Sequence, residues 1–257
     1  MAIITQNIAQ EIKDKLEKLS QQKGYDRVRH RAVTEDLRTI GDVYSFWIEN
    51  PDLRKSLLRG RNSKQTIRKQ AARGIRAIKN GWYYLNDVCK RDCVGSLDIS
   101  LLEKLNGLIE PRKGGRVRLS TLFRSGDVTL NILGYTPPSP ERIAEKLKAL
   151  IGQVRKMYTQ EPLEAAIMAH LGIACIQPFP EGNKRCARLV QDKILWDAGM
   201  PPAVIQAGEG TYYFGLLSQT APAYRDKKVE GMREFFDYCA SKVNNGLDTM
   251  LNDLQNQ

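Results

Sequence analysis

The densest chemistry in the sequence lies in Ile176-Gln177-Pro178-Phe179-Pro180-Glu181-Gly182-Asn183-Lys184-Arg185-Cys186-Ala187-Arg188. Pro178 and Pro180 push the residues before them toward extended backbone, and Gly182 allows a tight turn with close backbone approach. A helix is expected from about Asn183, because Ala187, Val190, Ile194 and Ala198 recur at helical spacing up to Gly199, with Pro201 and Pro202 beyond. A turn that leads free N–H groups into a helix N-terminus attracts anions. Arg185 and Arg188, three residues apart, share one face and reach the same anion. Glu181, just ahead of them, offers a carboxylate to a divalent metal bridging phosphate oxygens. The pattern is that of a polyphosphate clamp.

The same residues resemble the signature loop of Fic-domain proteins, His-Pro-Phe-x-(Asp/Glu)-Gly-Asn-(Gly/Lys)-Arg-x-x-Arg. The resemblance implies transfer of AMP from ATP, with Mg²⁺, to a Ser, Thr or Tyr hydroxyl of a target protein. It implies Glu181 as metal ligand and Gly182, Asn183, Lys184, Arg185 and Arg188 on the nucleotide. Gln177 stands where the family has its catalytic His. A carboxamide cannot accept a proton at neutral pH, so transfer is expected to be absent or impaired. Lys184 occupies a position that is Gly in many members and Lys in others, including a branch that transfers a phosphoryl group. A nucleotide-binding pseudoenzyme and a phosphoryl transferase are therefore the alternative functions.

A helix is expected from the cap-like Thr34-Glu35-Asp36 to Asn50, ahead of Pro51. Its Ser45, Glu49 and Asn50 resemble the family's inhibitory pattern, (Ser/Thr)-x-x-x-Glu-(Gly/Asn). That resemblance pairs Glu49 with Arg188, where a carboxylate laid on a guanidinium competes with phosphate. Phe46 and Trp47 read as packing residues.

The elements that position these groups read as an all-α, Fic-like helical bundle with a small β-hairpin flap. The implied organisation is an N-terminal helical region over 1–95 containing the inhibitory helix at 34–50, then a core over 96–243. The core holds the flap at 115–133 and the signature loop at 176–188, and a C-terminal helix or tail follows over 244–257. Ile4, Ile8, Ile12, Leu16 and Leu19 mark a first helix. Asp98 caps a helix carrying Leu102 and Leu105. Gly115–Leu119 and Val128–Ile132 alternate like strands around Ser125-Gly126-Asp127. The resemblance makes this hairpin the edge on which a target protein docks as an added strand. Ser139 and Pro140 open the next helix as cap and first residue, and a helix is expected over 162–176. His170, on its apolar stripe, reads as a packed and hydrogen-bonded core residue. In the family the region after the signature helix helps bind adenine and ribose, and the resemblance makes Tyr212, Tyr213 and Tyr224 candidates for stacking there.

Composition narrows the partners. The chain has 257 residues, 42% hydrophobic, and a net charge of +11. Much of that charge falls on residues 54–79, where Ile67, Ala71, Ile75 and Ile78 recur at helical spacing. This reads first as an amphipathic helix with a solvated basic face and second as a nucleic-acid surface. Self-association is left open. No apolar run is long enough to span a bilayer and no leader is recognisable, which suggests a cytoplasmic protein. Five scattered cysteines and two histidines suit reduced thiols better than a zinc site, and Cys186, one turn into the expected helix and unused by the family signature, is a candidate for accessibility.

Overall fold

The computed structural model describes residues 2–26, 28, 37–58, 64–110, 122–128 and 135–256. Its helices are α1 (Gln6–Ser20), α2 (Leu37–Glu49), α3 (Pro51–Leu58), α4 (Lys64–Cys89), α5 (Cys93–Ser96), α6 (Ile99–Ile109), α7 (Ile143–Tyr158), α8 (Pro162–Ile176), α9 (Asn183–Asp197), α10 (Gly210–Asp226) and α11 (Arg233–Gln255). No strand occurs among the described residues. Both strand stretches expected of the flap lie outside them except for Val128, and residues 122–128 are loop. The cap-like residues 34–36 and His30 also lie outside the described residues.

Helix α8 is apolar on all sides, and every residue from Glu164 to Ile176 is buried, so it becomes the axis of the bundle. Helices α7, α9, α10 and α11 pack around it. The long helix α4 packs against α2, α6 and α9, and α1 lies along α11. One apolar cluster runs from Ile3 to Met250. The N-terminal segment is tied to the axis where Glu164 Oε1 accepts the N–H groups of Ile3 at 2.5 Å and Ile4 at 2.8 Å.

Local chemistry explains some of the helix starts. Asp98 Oδ1 accepts the N–H of Leu101 at 2.7 Å, which begins α6 at Ile99. Pro162 sits in the first turn of α8, where its missing N–H is not needed. Before α7 the structure differs from expectation. Pro140–Arg142 forms a 3₁₀ turn, the Ser139 side chain makes no cap, and the α-helix begins at Ile143. At the other end, α11 runs unbroken through Asn244 because Val243, Leu247 and Met250 keep an apolar face toward the core.

Helix α2 lies close to α4. A Cβ added at Gly74 would overlap the ring of Phe46, and Phe46 packs edge-on to Trp47 at 5.0 Å between centroids. Gly74→Val is therefore expected to destabilise the chain by about 1–3 kcal/mol, as overpacked cores do. The melting temperature should fall by several degrees. An unchanged melting temperature would contradict this close approach.

Candidate active site

The candidate site begins where α8 stops. Gln177 caps the helix in the left-handed region, with φ 49° and ψ 57°, and its N–H reaches Ile173 O at 3.1 Å. Pro178 then prevents continuation of the helix. Asn183 closes the turn. Its Oδ1 accepts the Phe179 N–H at 2.8 Å, while its Nδ2 donates to Phe179 O at 2.7 Å and to Gln177 Oε1 at 3.0 Å. The Phe179 ring is fully buried and packs against Phe123.

Gly182, at φ 77°, makes the last bend. A Cβ there would meet Glu110 Cγ at 2.7 Å and Asn106 Nδ2 at 2.9 Å. Asn106 Nδ2 also donates to Glu181 O at 2.9 Å. The first helical bond of α9 runs from Cys186 N–H to Gly182 O at 2.9 Å. The N–H groups of Asn183, Lys184 and Arg185 thus precede the hydrogen-bonded ladder and form the positive end of the helix.

One carboxylate spans both arginines of that first turn and a half. Arg188 Nη2 donates to Glu49 Oε1 at 2.6 Å, and Arg185 Nε donates to Glu49 Oε2 at 2.7 Å. Arg188 Nε also donates to Ser45 Oγ at 3.0 Å, and Arg185 Nη2 pairs with Glu110. The side chains of Glu49 and Arg188 are 14% and 7% exposed, so water screens this contact little. Burial opposes ionisation of Glu49, but Arg188, Arg185 and Lys184 outweigh it and hold the carboxyl below the usual carboxylate range. Lys184 is pushed down, mainly by burial and further by the two arginines, while Glu49 opposes the shift.

Behind the clamp lies a buried relay. Arg188 Nη1 donates to the Tyr213 hydroxyl at 3.3 Å, and that hydroxyl lies 2.8 Å from His170 Nε2. His170 Nδ1 contacts Gln191 Oε1. Burial and the charge of Arg188 lower the His170 pKa to about 3, which keeps the ring neutral. His170 is thus a packed, hydrogen-bonded core residue.

Other expectations are corrected. Cys186 is not accessible: it is fully buried among core side chains, and burial pushes its thiol up to about 12. Tyr213 is fully buried in the relay and unavailable for stacking. Tyr224 lies eleven residues further along α10, roughly 16 Å by helical rise. Tyr212 is exposed and packs edge-on against Tyr238. Asn50 donates through its side chain to Phe46 O at 2.8 Å, within its own helix end.

Glu181 faces solvent beside the helix terminus. Among the described residues no three His, Cys, Asp or Glu side chains converge as a metal cage. A single exposed carboxylate suits Mg²⁺, which keeps most of its ligands as water and phosphate oxygen. Gln177 is not free to act. Its Nε2 donates to Ala174 O at 2.5 Å, and its Oε1 accepts from Asn183. Sequence reasoning missed Asn106, Glu110 and Arg124, all distant in sequence from the loop they touch. Among the described residues, no helix is long and apolar enough to cross a membrane.

Residues 96–195 match the family model described as Fic/DOC family. Protein adenylyltransferase fic-1 of Caenorhabditis elegans is 27% identical over 121 residues, which is 46% of this chain and 22% of the relative. The chain spans about a quarter of the length of the curated relatives it matches. Among solved structures, a Fic domain-containing signaling protein of Bacteroides thetaiotaomicron superposes with a TM-score of 0.72 at 20% identity, covering 98% of each chain. IbpAFic2 covalently tethered to Cdc42 gives a TM-score of 0.53 at 21% identity, covering 91% of this chain and 70% of the other. The two structural likenesses carry the helical fold and nothing finer.

Two groups in the clamp network give acid sensitivity in separate windows. The unfolded chain protonates a histidine near pH 6.5 while folded His170 waits until about 3, so its stabilising contribution is full above 6.5 and is lost as pH falls. Glu49, depressed in the folded state, contributes above about 4.3, the free carboxyl value, and loses that contribution as pH falls through its folded value. Urea unfolding of the parent should therefore show weakening from pH 6.5 to 5. Glu49→Gln should keep that limb and be shallower below about pH 4.3. Equal slopes below that point would contradict the ion-pair assignment.

Proposed function

We propose, from the premise that residues 96–195 are a Fic/DOC-family domain, that this chain binds ATP at the start of α9 and transfers AMP to a hydroxyl of a target protein. The reading adds that Glu49 inhibits it and that Gln177 leaves it slow. The observation that carries the proposal is the bridging of Arg185 and Arg188 by one carboxylate at a helix N-terminus. Two guanidiniums converging beside free N–H groups are built for a polyanion, and Glu49 occupies the place a phosphate would take.

With Glu49 displaced, Arg185 and Arg188 bind the terminal phosphates and the α9 backbone orients the chain of phosphates. Glu181 is the residue that would hold Mg²⁺, which when bound neutralises phosphate charge. The target hydroxyl oxygen bonds to the α-phosphorus as the α–β anhydride bond breaks, and pyrophosphate leaves. The hydroxyl proton needs an acceptor. Gln177 has no basic site, and both ends of its carboxamide are engaged. Loss of a positioned base typically costs about a hundred- to ten-thousand-fold.

The same saturated carboxamide favours a second reading, a pseudoenzyme that binds nucleotide without transfer. The protein target is proposed by likeness to the tethered IbpAFic2–Cdc42 pair. The basic face of α4, where Arg68, Lys69, Arg73, Arg76 and Lys79 are exposed, is a solvated helix surface that also suits an acidic partner.

Transfer is tested with ATP labelled at the α-phosphate, following label on the chain itself and on added proteins. Gln177→His should raise labelling about a hundredfold or more over the parent, and adding Glu49→Gly should raise it further. Histidine is among the residues that tolerate the left-handed backbone at this position. ATP binding with no labelling in any of these chains would favour the pseudoenzyme. Absence of both would remove the proposal.

A further inference from the structure

We propose that Arg124 is the positioning residue for position 177, acting as a strut that sets the carbonyl of that residue and couples it to residues 122–128 and Pro138. The inference rests on the reading above, in which position 177 faces the reacting hydroxyl.

Arg124 is 4% exposed, and its guanidinium donates to three backbone carbonyls from separate stretches. Nε reaches Gln177 O at 2.7 Å, Nη1 reaches Gly126 O at 2.8 Å, and Nη2 reaches Pro138 O. Its own N–H donates to Pro178 O at 2.9 Å. A buried guanidinium that places a charged fork on carbonyls makes bonds about twice as strong as neutral ones and fixes their directions. Phe123, the preceding residue, packs on Phe179 in the same loop.

The loop requires such a strut. Gln177 holds a left-handed backbone without being glycine, a conformation that persists only where surroundings over-determine it. The Asn183 brace fixes the Gln177 side chain and Phe179, but among the described residues it is Arg124 that holds the carbonyls of Gln177 and Pro178 from outside. Without that hold the 177–178 peptide can rotate, and the side chain at 177 swings off its line. The clamp is independent, because Arg185, Arg188, Glu49 and Ser45 lie on α9 and α2 and make no contact with Arg124 in this bonding pattern.

The test uses Arg124→Gln, and Arg124→Lys, which keeps the charge but not the fork. Each is made in the full chain as it stands and in Gln177→His. Hydrogen exchange at residues 177–183 should rise about tenfold or more in both variants, with α8 and α9 unchanged. In the Gln177→His chain, kcat for AMP transfer should fall about 10- to 100-fold while KM for ATP stays within about twofold. The slow transfer of chains that keep Gln177 should not change, because there the displaced side chain takes no proton. Unchanged loop exchange would overturn the proposal whatever the activity. So would an equal fall of kcat in both backgrounds, which marks a merely structural role. If Gln177→His transfers nothing, the functional reading fails and the exchange result alone decides whether Arg124 positions the loop.

Discussion

A single carboxylate between two guanidiniums is the interaction on which the rest of the site depends. Glu49 satisfies Arg185 and Arg188 at once, in a setting too buried for water to compensate either charge fully. Buried ion pairs of this kind add little net stability, since desolvation offsets attraction, but removing one partner leaves a costly orphan charge. Two arginines held close at a helix N-terminus therefore need an anion at all times. In the proposed cycle, Glu49 and the polyphosphate of ATP are alternative occupants of one place. The competition follows from charge and geometry, and it makes inhibition a property of where α2 is packed.

That packing is set along α2 itself, between Ser45 and Ile48. Gly74 lets α4 approach the ring of Phe46, Ile48 is buried, and Ser45, the residue before Phe46, accepts from Arg188. Behind Arg188, Tyr213 and His170 carry the contact into the core, with the imidazole held neutral by burial. A neutral ring lets the relay sit in apolar surroundings without bringing a second positive charge near Arg188. The position of the Glu49 carboxylate is thus supported on one side by aromatic packing and on the other by a chain of hydrogen bonds.

What was legible in the sequence was local. The prolines, Gly182 and the Asn183 start lie within one short stretch, so their turn and helix chemistry could be read residue by residue, and α8 over 162–176 announced itself by Pro162 and a largely apolar run. His170 could be assigned to the core because its neighbours on the helix face are apolar. Contacts made over long separations were not legible. Nothing near Arg124, Asn106 or Glu110 signals the loop they hold, and the second partner of Glu49, Arg185, depends on how α2 crosses α9. The burial of Cys186 and Tyr213 was not legible for a related reason. Cys186 follows Arg185 and Tyr213 carries a hydroxyl of its own, yet helix rotation turns both inward. The continuity of α11 through Asn244 was masked by polar residues that occupy its outer face, while the apolar residues that bury it recur only once per turn.

The most direct test of the competition is calorimetric titration of Mg²⁺ and ATP into the chain as it stands and into Glu49→Gly. Freed of the carboxylate, the arginines should bind ATP at least about tenfold more tightly, a gain of about 1.4 kcal/mol or more. Equal affinities in the two proteins would contradict the account, because Glu49 would then not hold the place of the phosphates.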